Sequence, residues 1–190
     1  MLGGDMGAFY LTFVAVLLSG IAARDQVTIA ALTRAHGQRF GVLATGLTVV
    51  AATSAFAAYA AGQVLVTLPL PARPILVAIA LALAGLESLI LSPRLDPKEP
   101  THSLGALGIV LLAHQVTDAA RFTLFGLAIG MGAPIAAGLG GGLAGLLLVG
   151  SAWALPRALA SPGIRIARRV VGGLLFLIAV TMFLRVRGIL

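Results

Sequence analysis

The sequence predicts an all-α integral membrane protein, with six transmembrane helices arranged as two inverted three-helix repeats. Three observations carry this expectation. The 190-residue chain is 59% hydrophobic and 10% charged, with a mean hydropathy of +1.07. Soluble chains run near ~45–50% apolar and ~25% charged, and a water-soluble fold of this length cannot hide so much apolar surface, whereas lipid solvates it directly. The apolar residues also fall into six runs, each close to the ~20 residues that a helix needs to cross a bilayer. Finally, no run shows the period-two alternation of a membrane barrel, and helices satisfy their own backbone groups, as lipid demands.

The runs are roughly 7–32, 41–66, 74–92, 104–129, 131–155 and 167–187. The stretch before them, Met1 to Gly7, carries Asp5 and no basic residue, so the first run reads as a retained span and not a cleaved signal. The first break holds Arg34, His36, Gly37 and Arg39, and the second runs from Pro69 to Pro74 with Arg73 inside it. The third, Ser92 to Ser103, is the most polar stretch, with Arg94, Asp96, Lys98, Glu99 and His102 among three prolines. The fourth, Gly130 to Pro134, is short and uncharged, and the fifth holds Pro156, Arg157, Pro162, Arg165, Arg168 and Arg169. Proline and glycine end the helices by removing a backbone donor or loosening the chain. The division is 1–92 for the first repeat, 93–103 for a polar cytoplasmic linker and 104–190 for the second repeat.

Charge sets the expected topology. Arg34, Arg39, Arg94, Lys98, Arg157, Arg165, Arg168 and Arg169 fall on the side of loops one, three and five, against Arg73, Arg185 and Arg187 on the other. The positive-inside rule then places those loops in the cytoplasm and both termini outside, in a multi-pass protein of the cell's inner membrane. The net charge of +7 is thereby read as topology. Nucleic acid is not an expected partner, because no basic patch with interleaved aromatics appears. The absence of cysteine excludes disulfides, a thiol nucleophile and a thiolate metal site. No nucleophile elbow, His-Glu-x-x-His pair or phosphate loop is present, so neither an enzyme nor a cofactor is expected.

The halves resemble each other. With Asp25 placed over Asp118, Leu43–Leu47 falls over Ile135–Leu139 with a one-residue shift. Three spans per half give the halves opposite orientations, a common transporter plan with the site near mid-membrane. In the fifth run, Gly138 with Gly142 and Gly141 with Gly145 give two small-residue spacings. These serve tight packing within the chain, or alternatively a homodimer face.

Charges inside a span are costly, at ~2.5–3.5 kcal/mol each, and need a reason. The first run contains Arg24 and Asp25, and the fourth contains His114, Gln115, Asp118 and Arg121. The spacing 114, 118, 121 puts His, Asp and Arg on one helical face. The functional reading is a solute or ion site built from the two facing motifs. Asp25 and Asp118 would act as oxygen ligands for a divalent cation or as proton carriers, with His114 as a proton relay. The competing reading is a pair of static bridges, Arg24 to Asp118 and Asp25 to Arg121. Glu87 is expected to snorkel to the interface or cap a neighbour. Ser19, Thr28 and Thr123 either line the cavity or bond their own helix backbone. Tyr10 and Trp153 read as interfacial belt residues.

The chain resembles the Gdt-type cation/proton antiporters, within the lysine-exporter superfamily. That family carries a Glu-x-Gly-Asp-(Lys/Arg)-(Ser/Thr) motif in the first helix of each of two inverted repeats. The corresponding positions here read Ala22-Ala23-Arg24-Asp25-Gln26-Val27 and Gln115-Val116-Thr117-Asp118-Ala119-Ala120. Only the Asp is kept in both, and Arg24 stands where the family has Gly. The resemblance implies manganese or calcium transport against protons, with Asp25 and Asp118 as ligands and Gln115 adding a neutral oxygen. The residues leave two alternatives open. One is export of a zwitterionic solute such as an amino acid, suited by the paired Arg and Asp. The other is a non-transporting protein that keeps the fold. Besides the lipid bilayer, the expected partners are the transported ion or solute and protons.

Overall fold

The computed structural model describes residues 2–91 and 103–190, and the expected linker lies outside them apart from Ser103, as do Arg94 and Lys98. The described residues form eight α-helices: α1 (Leu2–Ser19), α2 (Arg24–His36), α3 (Phe40–Thr67), α4 (Arg73–Ile90), α5 (Leu104–Val116), α6 (Ala119–Met131), α7 (Pro134–Ala154) and α8 (Pro162–Val186). Short 3₁₀ turns, Leu70–Ala72 and Ala158–Ala160, lead into α4 and α8, and no strand occurs among the described residues.

Four helices are long and apolar enough to cross a membrane, and five if α1 and α2 form one span bent by 59°. Helices α5 and α6 are apolar but have 13 residues each, too short to cross alone at ~1.5 Å per residue. Large apolar side chains cover the outside of the bundle, with Val66 85% and Ile135 77% exposed. Such a surface is unsuited to water and is compatible with a multi-pass membrane protein.

Two expected helices are therefore each two helices. The first run breaks at Gly20–Ala23, where Ala22 lies in the left-handed region at φ 54°, a conformation costing an L-residue ~1–2 kcal/mol. The fourth breaks at Thr117 and Asp118, and Asp118 becomes the N-cap of α6. The expectation that His114, Asp118 and Arg121 share one helical face fails here, because the helix carrying His114 has ended before Asp118. The fifth break is also shorter than expected. Helix α8 begins at Pro162, where proline's fixed φ suits a first turn, so Arg165, Arg168 and Arg169 are helical.

Glycines set the packing distances inside the bundle. On α7, a Cβ at Gly138 would lie 2.6 Å from Ala58 Cβ on α3, one at Gly140 would strike the Phe9 carbonyl on α1, and one at Gly141 would lie 2.6 Å from Leu124 on α6. The small-residue spacings of α7 thus serve contacts within the chain. Helices α4 and α8 approach equally closely, since a Cβ at Gly172 would lie 2.7 Å from Ser88 Cβ and 3.0 Å from the Gly85 carbonyl oxygen.

Candidate functional site at two helix interruptions

A broken helix exposes backbone groups that a continuous one satisfies internally, and the charged residues gather around these groups. Beyond the first interruption, Asp25 sits in the opening turn of α2, where the helix dipole favours a carboxylate. It is buried, and both oxygens are engaged: Oδ1 accepts from the Gln26 amide at 2.8 Å and Oδ2 from Gln115 Nε2 at 2.7 Å. Gln115 Oε1 in turn accepts from Thr53 Oγ1 at 2.7 Å and from Arg121 Nη2 at 3.4 Å, and Arg121 Nε donates to Thr53 Oγ1 at 3.0 Å. A chain of hydrogen bonds therefore joins Asp25 to Arg121 through α5 and α3. Gly145 makes room for it, because a Cβ there would come within 3.0 Å of Arg121 Nη2.

A second group centres on Glu87, near the end of α4. Its Oε2 accepts from Arg168 Nη2 at 2.5 Å, and its Oε1 lies 3.6 Å from Arg24 Nε. Arg24 also donates from Nη2 to Thr117 Oγ1 at 2.6 Å and to the carbonyls of Thr117 and His114 at 3.2 and 3.3 Å. Arg168 Nη1 donates to the Ile21 carbonyl at 3.1 Å. Asp118 is buried at the start of α6, where its side chain makes no capping bond and its Oδ1 has no hydrogen-bond partner. It lies within the electrostatic reach of Asp25, Glu87, Arg121 and Arg168.

Five of the six candidate residues thus place charged or polar side-chain groups at the two interruptions, while His114 is half-buried and contributes its carbonyl. The expected static bridges, Arg24–Asp118 and Asp25–Arg121, do not form. Arg24 turns to Glu87, and Asp25 reaches Arg121 only through Gln115. Of the two roles expected for Glu87, snorkelling does not occur, since it is buried and holds two arginines. Arg168, assigned to a loop, is 3% exposed within α8. Thr28 Oγ1 bonds its own helix at the Arg24 carbonyl, whereas Ser19 and Thr123 hydroxyls are buried without partners.

Sequence reasoning missed Glu87, Arg168 and Thr53 as members of this centre. Glu87 and Arg168 lie near the ends of their runs, where a charge reads as interfacial, and a threonine in an apolar run carries no mark at all. An Asp midway along an apolar run was the available signal for the interruptions themselves, since Asp favours helix starts.

Three buried carboxylates (Asp25, Glu87, Asp118), two buried guanidiniums (Arg121, Arg168) and the half-buried Arg24 gather here, and their formal charges cancel. Among the described residues, no group of three or more His, Asp or Glu is placed to hold a metal ion. An apolar cleft of about 260 Å³ between α3, α4 and α6 reaches Thr53 and Arg121, and is otherwise lined by side chains such as Phe56, Ile79, Phe122 and Phe125. Searches against protein-family models, curated proteins and solved structures return no match to this chain.

Proposed function

We propose that the chain is a secondary transporter whose solute site is the charge-balanced centre between the two helix interruptions. One observation carries this reading: α1–α2 and α5–α6 are both interrupted, and each interruption brings a buried Asp to the start of the following helix. Discontinuous helices at corresponding places in two halves are the usual way that transporters build a site in mid-membrane. On this reading α5 and α6 together form one span, the count is six, and α1–α4 and α5–α8 are the inverted repeats.

Charge balance bears on the solute. A bare divalent cation meets three carboxylates and three guanidiniums whose formal charges cancel, so little net Coulomb attraction remains. A small solute carrying both charges, such as an amino acid, meets a partner for each. The unpartnered Asp118 Oδ1 is an acceptor for its cationic end. Divalent cation/proton antiport, which the family resemblance implies, competes with this reading in the same experiment.

That experiment is flux into proteoliposomes under an imposed pH gradient, with an amino-acid panel in one arm and manganese and calcium in the other. Uptake of an amino acid that is lost in Asp25→Asn and in Asp118→Asn is the expected result. Manganese or calcium flux with the same dependence supports antiport instead. Folded protein that moves neither class would end the transporter reading.

A further inference from the structure

The two interruptions leave carbonyl oxygens that no helical N–H can reach. In a membrane-spanning segment, whether the group is buried or faces lipid, each such carbonyl needs a partner. In transporters with broken helices, a mobile cation commonly takes that place, held by the unwound carbonyls, because carbonyl oxygens are hard ligands. Here the partners are side chains. Ile21 O, in the first interruption, accepts from Arg168 Nη1. His114 O and Thr117 O, at the second, accept from Arg24 Nη2, which also holds Thr117 Oγ1. The arrangement is crossed: Arg24 begins the helix after the first interruption and serves the second, while Arg168 reaches the first from α8. Glu87 lies against both arginines.

We propose that the guanidiniums of Arg24 and Arg168 are tethered cations that occupy the carbonyl positions of the two interruptions, with Glu87 as their shared counter-charge. The solute site on which this rests, the one proposed above, then works without a mobile metal or sodium ion. A guanidinium suits the role. It keeps its positive charge under all ordinary conditions, and its planar fork of five N–H donors can satisfy several oxygens at once.

The test is thermal unfolding of the full chain in detergent, in manganese, calcium, sodium or choline chloride at equal ionic strength. The wild-type midpoint is expected to be the same in all four salts. Arg24→Ala and Arg168→Ala are expected to lose several degrees in choline and to regain part of the loss in at least one metal salt, as an ion enters the vacated carbonyls. Arg24→Lys, which retains a tethered positive charge, is expected to fold and to respond to no salt. A wild-type midpoint raised by one of the metal ions would overturn the proposal, as would alanine variants that no cation rescues. Should the alanine variants not fold, a salt-responsive Arg24→Lys would overturn it equally. Unfolding is read without flux, so a chain that transports nothing leaves this result interpretable, and failure of either proposal is seen separately.

Discussion

Glu87 is the residue on which the buried charges depend most. Its carboxylate is 2.5 Å from one guanidinium and 3.6 Å from another, and Arg168 has almost no access to solvent. Removing one partner of a buried ion pair strands the other and costs about 3–5 kcal/mol. Glu87→Gln should therefore lower stability on that order in equilibrium unfolding, whereas Asp5→Asn, at an exposed position, should leave it unchanged. Gln115 is the second such residue, since it donates to Asp25 while accepting from Thr53 and Arg121. Gln115→Leu leaves those buried groups short of a partner, at about 1–3 kcal/mol. The same measurement, with Thr28→Ala as a comparison that breaks only a bond to its own helix, checks the assignment.

The helices owe their positions to glycine as much as to apolar burial. Gly172 and Gly173 are neighbours on α8, but a Cβ at Gly172 meets Ser88 and the Gly85 carbonyl, while one at Gly173 meets nothing within 4 Å. Gly172→Ala should destabilise by about 1–3 kcal/mol through overpacking. Gly173→Ala should be neutral, or stabilising by up to about 1 kcal/mol from helix propensity. A thermal comparison of the two variants decides the matter, and equal effects would contradict the close approach of α4 and α8. Helix placement was largely legible in the sequence, because a membrane-length apolar run is a strong signal. The interruptions were not, although Asp25 and Asp118 were singled out as chemically meaningful. Hydropathy averages over a window and does not register two or four residues that leave the helix. The expected face joining His114, Asp118 and Arg121 presumed a continuous helix and failed at Thr117. Glu87 and Arg168 escaped for a different reason. Each lies near the end of its run, where a charge reads as interfacial until the partner on the neighbouring helix is known.

For the molecule as a whole, the helix order puts the turn after α2 beside the end of α7, where Gln38 Nε2 donates to the Trp153 and Ala154 carbonyls and Trp153 Nε1 donates to the Arg39 carbonyl. Loops one and five therefore share one end of the bundle, and both carry arginine, the pattern that the positive-inside rule assigns to the cytoplasm. A reporter that works only in the cytoplasm should accordingly be silent when fused after Leu190, and a signal from it would reverse the assigned orientation. On the transporter reading proposed above, the charged centre at the two interruptions lies between the two membrane faces. The chain's lack of cysteine makes that arrangement open to labelling. Single cysteines at Ile21 and Thr117, one per interruption, can be followed in proteoliposomes with a small membrane-impermeant thiol reagent. If the interruptions form one solute site, both cysteines react from the aqueous phase, and the same transported solute slows both reactions. Cysteines that stay unreactive in water, or whose labelling no solute changes while transport proceeds, would contradict a shared site at the two breaks.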